Sequence, residues 1–427
     1  MKLADLRGRR LVVLGLGEDV AAALDVAAAA GPSELVVVDA AADQARRRLA
    51  SAHPSLAGRV DVLADLAGAP PAEVALRSPG FPLYSPELVR RRSAGLTTTT
   101  PLDLWVNERG ALAAVAVTGT KGKSSTAVLL RMALARLGVP ALVLGNIGVP
   151  PWTRSPLMPE VAVLEISSYQ AADLSSTAPV GVLTAIGEDH VDWHGSVSRY
   201  LQDKARAFLA PAAGSTSRWY GYPADLVLPQ AFAGAAMSPV PMRSEDVRRR
   251  NATLAAAAAI RVTGSEASTH ELAQELAAHY PDLPGRMATV GWAGGVEFVD
   301  DSLASNPLGL AAALRSSCDR PATVIVGGHD RGARTDDAAA AMAGRSAPAA
   351  LVWLDEGGAL ADSLRPWCTS VSPAPSLEEA VRAAAHLTPA GGVVIFSPGM
   401  PTPVEQGNWA SRSRRFGAAV AALGATG

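Results

Sequence analysis

Short apolar runs recur along the chain, separated by longer stretches with helical periodicity. The runs are Arg10–Leu14, Leu35–Asp39, Ala111–Val117, Pro140–Leu144, Val161–Glu165, Val180–Ala185, Thr323–Val326, Ala349–Trp353 and Gly392–Phe396. Continuous apolar runs of this length, alternating with helices, predict buried parallel strands joined by crossover helices, hence an α/β fold. Three such units fit better than one continuous sheet. NERG at Asn107–Gly110, ahead of a strand, and PDLPGR at Pro281–Arg286, after an alanine-rich helix, mark the breaks. The expected domains are therefore 1–108, 109–284 and 285–427. Ala210–Arg243, poor in charge and rich in Gly, Pro and Ser, carries no readable pattern.

Composition narrows the class. A length of 427 residues suits two or three cores. The formal charge of −2 gives no electrostatic reason to expect nucleic acid or an anionic membrane as partner, so an anionic ligand must be held by local groups. Two cysteines cannot build a disulfide framework or a four-cysteine metal site, which points to a reducing cytosol. No stretch reaches the roughly 18 uninterrupted apolar residues of a membrane span. The expected location is the cytoplasm.

Several strand exits carry candidate chemistry. GLG at Gly15–Gly17 follows the first strand and opens a helix, with Asp39 closing the second strand; this is either a dinucleotide-type site or a tight turn without a ligand. VTGTKGKSST (Val117–Thr126) lacks the first glycine of the usual phosphate loop, which would fall at Val117. A strand nevertheless enters it and a helix, Ser125–Leu137, leaves it. That setting aims backbone N–H groups at a phosphate, lets Lys123 reach the transferred group and lets Ser124 hold Mg²⁺. Glu165 ends an apolar strand, as a metal ligand or a solvated strand-end acid. In GEDHVDWH, the alternation of His190, Asp192 and His194 would put all three on one side of an extended segment, as a cluster or as a polar surface loop. Lys204, four residues after Tyr200, reads in isolation as a solvated helix lysine. GGHDRGAR offers Arg331 and Arg334 as clamps for carboxylate or phosphate, and FSPGMPT places Ser397 and Thr402 at another strand exit.

Together and in this order, VTGTKGKSST, GNIG (Gly145–Gly148), LEISSYQ, EDHVD, the Tyr200/Lys204 pair and SPG (Ser78–Gly80) resemble the Mur ligases over nearly the whole chain. The resemblance implies a Rossmann-like N-terminal domain, a central P-loop ATPase domain with a mostly parallel sheet and a C-terminal Rossmann-like α/β domain. It implies an ATP-dependent amide ligase of peptidoglycan precursor synthesis, nearest to members that add glutamate to UDP-N-acetylmuramoyl-L-alanine. The wording SSYQ, DHVDWHGS and GGHDRG is similar to a branch that attaches L-glutamate, with a separate epimerase acting afterwards; addition of D-glutamate is the alternative.

Roles follow from the same resemblance. ATP would be held by Gly119, Thr120, Lys121, Gly122, Lys123, Ser124 and Ser125, with Asn251, Arg286 and Asp301. The UDP-sugar would meet Gly15, Gly17, Asp39, Ser78, Pro79 and Gly80, and its acceptor arm Asn146, Ser167, Gln170 and His190. Glutamate would meet Arg331, Ser397 and Thr402. Two Mg²⁺ ions are implied, one at Ser124 and Glu165 and one at His190 and a carbamylated Lys204; Lys123, His190 and Lys204 would be catalytic. A monomer is expected. Leu303 stands where the family has a lysine, and Val247-Arg248 where it has His-Asn. These departures keep a non-catalytic nucleotide-binding regulator as the contrasting class, and a folate polyglutamylating ligase as a more distant enzyme.

Overall fold

The computed structural model describes residues 1–109, 114–147, 149–153, 161–211, 218–280, 283–329, 333–354, 358–403 and 406–424. Three sheets organise it. The first contains β1 (Arg10–Leu14), β2 (Glu34–Val38), β3 (Asp61–Leu63), β4 (Val74–Arg77) and β5 (Thr97–Thr99), all parallel, in the order β3-β2-β1-β4-β5. Leu11 and Val13 pack on Val20 and Leu24 of helix Glu18–Ala29, while Val12 and Leu14 pack on the opposite face with Leu83 and Leu88. Burial on both faces explains why such strands read as unbroken apolar runs. The chain departs in opposite directions on either side of the β1/β4 boundary, the kind of switch point at which open α/β sheets receive ligands beyond the strands' C-terminal ends.

The second sheet contains β6 (Ala114–Thr118), β7 (Ala141–Gly145), β8 (Val161–Glu165), β9 (Val180–Leu183), β10 (Trp219–Pro223) and β11 (Met237–Val240), parallel throughout, in the order β11-β10-β9-β6-β8-β7. The helix after β6 spans Lys123–Arg136, starting two residues before the expected Ser125. Strands β10 and β11 arise from the unreadable segment. WYGYP and MSPV contain Gly and Pro, which weaken a strand signal but are tolerated at a sheet margin.

The third sheet contains β12 (Ala288–Ala293), β13 (Val296–Asp300), β14 (Ala322–Gly327), β15 (Ala349–Leu354), β16 (Val371–Ala374) and β17 (Val393–Gly399), in the order β12-β13-β17-β14-β15-β16, with only β12/β13 antiparallel. Strand β17 runs through Ser397, correcting the expectation that this serine stands in the exit loop. Met1–Ile186, His190–Met242 and Asn251–Leu276 form one compact unit with the first two sheets; Gly187–Asp189, Arg243–Arg250 and Ala277–Gly427 form another with the third. Among the described residues, no helix is long and apolar enough to cross a membrane.

Candidate active site

The turns Gly15–Gly17 and Ser78–Gly80 leave the neighbouring strands β1 and β4 and touch. Gly15 has φ +77°, and a Cβ on Gly17 would sit 2.6 Å from the Ser78 Oγ. Asp39, expected to read a ribose or base, accepts hydrogen bonds from the Leu16 N–H (2.8 Å) and the Ala41 N–H (2.9 Å). Its carboxylate thereby shapes the turn after β1.

The phosphate loop leaves β6, between β9 and β8. Val117 is a fully buried strand residue paired with Glu165 and Val182, so the tight turn begins only at Gly119. Gly119 has φ +149°, and a Cβ there would lie 2.1 Å from Thr184 Oγ1. The Thr184 hydroxyl donates to the Lys121 carbonyl, and the Thr120 N–H donates to the Ala185 carbonyl at 2.6 Å. Gly122, left-handed at φ +88°, precedes the helix; a Cβ there would be 2.9 Å from Asn251 Oδ1, so buried Asn251 abuts the loop. Lys123 Nζ donates to the carbonyls of Gly119 (3.0 Å) and Thr120 (3.1 Å), folded over its own loop.

Glu165 ends β8 with its side chain buried. Its Oε1 accepts from Asn146 Nδ2 at 2.9 Å, whereas Oε2 is enclosed without a hydrogen-bond partner. An enclosed unpaired carboxylate oxygen costs at least about 1–3 kcal/mol, and a hard cation would relieve it. Ser124, also buried, heads the helix from the adjacent strand. Lys204 is only 1% exposed and donates to the Gly119 carbonyl at 2.9 Å, its Nζ 5.0 Å from the Tyr200 ring centroid. The Tyr200 hydroxyl lies 2.8 Å from Thr120 Oγ1. The lysine that read as solvated is thus locked beneath the loop, because helix Val197–Leu209 turns Tyr200, Asp203, Lys204 and Ala207 inward at helical spacing.

The expected alternation of His190, Asp192 and His194 does not occur. His190, at φ +51°, starts a short helix, Val191–His194, that leaves Asp192 exposed and buries His194 completely. His190 Nδ1 lies 2.8 Å from the Tyr169 hydroxyl. His194 sits between Asp203 Oδ2 (2.6 Å) and Ser168 Oγ (3.0 Å), and Asp203 also accepts from the Tyr84 hydroxyl at 2.6 Å. Burial, then the bond to Asp203, pushes the Tyr84 phenol well above its ordinary range. His194 is a packed structural residue, whereas His190 stays a candidate ligand.

Comparison with known proteins identifies the family. Residues 117–216 match the Mur ligase middle domain, and 285–399 match the Mur ligase glutamate ligase domain. A Micromonospora protein described as UDP-N-acetylmuramoyl-L-alanine–L-glutamate ligase is 34% identical, with 98% of each chain covered. The chain belongs to the Mur ligase family. A protein of the same description from Salinispora tropica is 32% identical over 98% of this chain and 99% of its own. The crystal structure of a MurF ligase from Thermotoga maritima in complex with ADP shares the fold, with a TM-score of 0.56 over 100% of this chain and 97% of that one at 13% identity.

The second compact unit of this Mur ligase carries the remaining candidates. Arg286 stands between Gly285 (φ +69°) and Met287 (φ +53°), a strained turn that fixes its backbone. Asp301, after β13, accepts from the Ser397 hydroxyl at 2.7 Å; fully buried Ser397 therefore braces that aspartate. Thr402 is partly exposed in the loop after β17, which contacts the loop after β14 through the His329 N–H and the Pro401 carbonyl at 2.9 Å. Arg331 lies outside the described residues. Arg334 is exposed and bonded to Asp336 at 2.7 Å.

Three residues with clear roles in the geometry escaped the sequence reading: Thr184 against Gly119, Asp203 behind His194, and Arg77 behind the Ser78–Gly80 turn. Arg77 ends an apolar stretch with a polar group and Thr184 interrupts the run Val180–Ala185, and that is the signal that could have found them.

Proposed function

We infer that this Mur ligase joins L-glutamate to UDP-N-acetylmuramoyl-L-alanine at the expense of ATP, a cytoplasmic step of peptidoglycan precursor synthesis. End-to-end likeness to relatives of that description supports the substrates. The observation that carries the phosphoryl-transfer chemistry is Glu165, whose enclosed second oxygen, beside a P-loop, has no protein partner.

Gly15, Gly17, Asp39 and Ser78–Gly80 would hold the UDP end, and Asn146, Ser167, Gln170 and His190 the acceptor arm. The amides of Gly119–Ser125 and the Lys123 ammonium would neutralise the γ-phosphoryl group as it passes to the alanyl carboxylate, giving an acyl phosphate and ADP. For this, Lys123 leaves the carbonyls of its own loop. The glutamate amine attacks the acyl carbon and loses a proton, with Arg331 holding the side chain, Thr402 the carboxylate and Ser397 acting through Asp301; the tetrahedral species expels phosphate and leaves an amide. Asn251, against the phosphate loop, would meet the adenine; separately, Arg286 is proposed as a contact for ATP and Asp301 for its ribose.

Among the described residues, no three His, Cys, Asp or Glu side chains form a metal cage, so the fit rests on the buried oxygens of Ser124 and Glu165. Mg²⁺ there, with a second ion at His190 and carbamylated Lys204, would supply charge neutralisation for the phosphates. Carbamylation leaves one N–H on Lys204 Nζ, enough to keep its bond to Gly119. We further propose a monomer with domain boundaries near 108 and 284, its product inverted by a separate epimerase. Phosphate release from ATP that requires both the UDP-sugar and glutamate tests the reading; release with neither, or none with both, contradicts it.

A further inference from the structure

Arg77, the last residue of β4, is fully buried, and each of its guanidinium nitrogens is engaged. Nε and Nη2 reach Asp173 Oδ2 at 2.7 and 2.6 Å. Nη1 donates to the carbonyls of Ser78, Pro79 and Phe81 at 3.0, 2.8 and 2.9 Å, and Nη2 to the Tyr169 carbonyl at 2.9 Å. Asp173 is anchored in turn, its Oδ1 accepting from Thr98 Oγ1 at 2.9 Å.

An arginine beside a nucleotide-binding turn invites reading as a diphosphate clamp. Its geometry excludes that, since no donor is left for a ligand. Three carbonyls of one turn instead converge inward on one cation, so the turn's shape depends on that cation. The same guanidinium holds Tyr169, whose hydroxyl lies 2.8 Å from His190 Nδ1 and whose backbone lies between Ser168 and Gln170. A second tie runs in parallel, from Gln170 Nε2 to Asp19 Oδ2 at 2.9 Å. A buried ion pair is weak evidence for stability, because desolvating both charges offsets much of their attraction. A planar donor that fixes several acceptors at once is evidence for positioning.

We propose that Arg77, held by Asp173, is a positioning residue for ligation. It fixes the Ser78–Gly80 turn against the Ser167–Gln170 turn and His190, so that the two ends of the sugar nucleotide are received at a set separation. This rests on the substrate reading above.

The test uses the full-length chain and two variants. Arg77→Met/Asp173→Leu removes both charges together and leaves no orphaned ion. Arg77→Lys keeps the charge and a reach to Asp173 but cannot span the carbonyls of both turns. Calorimetric Kd values for ADP and for UDP-N-acetylmuramoyl-L-alanine are compared with the thermal midpoint. In both variants the expected result is an unchanged Kd for ADP, with the Kd for the sugar nucleotide weakened about tenfold or more, the size of one lost charge-assisted hydrogen bond. In the double variant that loss persists even where the thermal midpoint is restored. Unchanged sugar-nucleotide affinity in Arg77→Lys, or parallel loss of both ligands, overturns the proposal. Wild-type protein that binds ADP but no sugar nucleotide overturns the substrate reading first, and this proposal with it.

Discussion

Lys204 Nζ lies 2.9 Å from the Gly119 carbonyl, which joins the central-domain helix to the first residue of the phosphate turn. A buried lysine so placed can act in two ways, as a cation propping the loop or, after reaction with CO₂, as an anionic oxygen ligand. The second is expected. Lys204→Ala should lower kcat by about 100-fold or more, the scale of a lost electrostatic contact in a phosphoryl-transfer site. Wild type incubated with ¹³C-bicarbonate should show a carbamate carbon resonance that the variant lacks. The same spectrum from both proteins would contradict this.

Glu165 combines a satisfied Oε1 with an enclosed, unpartnered Oε2. Glu165→Gln removes the charge and leaves Asn146 a partner. Its thermal midpoint without Mg²⁺ should equal or exceed that of wild type, while kcat falls about 100-fold. Added Mg²⁺ with ADP should raise the wild-type midpoint and scarcely move the variant. A variant stabilised by Mg²⁺ as strongly as wild type would remove Glu165 from the metal site.

Gly119 has no room for a side chain, with Thr184 Oγ1 2.1 Å from the place of a Cβ. Gly119→Ala should abolish measurable binding of ADP. Combination with Thr184→Ala removes the nearest obstruction but not the positive φ, so binding should return only in part. Full binding by the single variant, seen in the same titration, would mean the loop is not the nucleotide site.

Asp19 supplies a pH test. Burial, the largest influence, raises its pKa above the ordinary carboxylate value even against the bond from Gln170. A carboxylate raised in the fold contributes stability below its unfolded pKa and loses it as pH rises through the folded one. At neutral pH the native state therefore carries the penalty of a buried charge. Asp19→Asn should be the more stable protein at pH 7, with an advantage that shrinks as pH falls through the carboxylate range. Thermal midpoints measured across that range check the sign.

How much of this was legible depended on distance along the chain. The phosphate turn, Glu165 and the strand exits are local patterns, and each apolar run fell close to a strand, whereas β3–β5, β10–β13 and β16 lie outside those runs. The buried network of Tyr84, Asp203, His194 and Ser168 was not legible, because its partners come from segments far apart in sequence and no local pattern pairs them. His190 and His194 misled for a related reason: alternation is informative only if the segment is extended, and tertiary packing made it a helical turn. Lys204 lacked any local sign of burial, and only its place in the order of motifs pointed to the site. Ser397 was misplaced because β17 continues through the Ser-Pro-Gly that ordinarily punctuates a strand.

The central claim is ligation of L-glutamate, and stereochemistry tests it most directly. Product formed from UDP-N-acetylmuramoyl-L-alanine and ATP should be measured by mass spectrometry with L-glutamate and D-glutamate in separate reactions. The predicted result is a sugar dipeptide formed with L-glutamate, one ADP per product, and little or none with D-glutamate. Efficient turnover of the D enantiomer alone, or no product with either, would contradict the account.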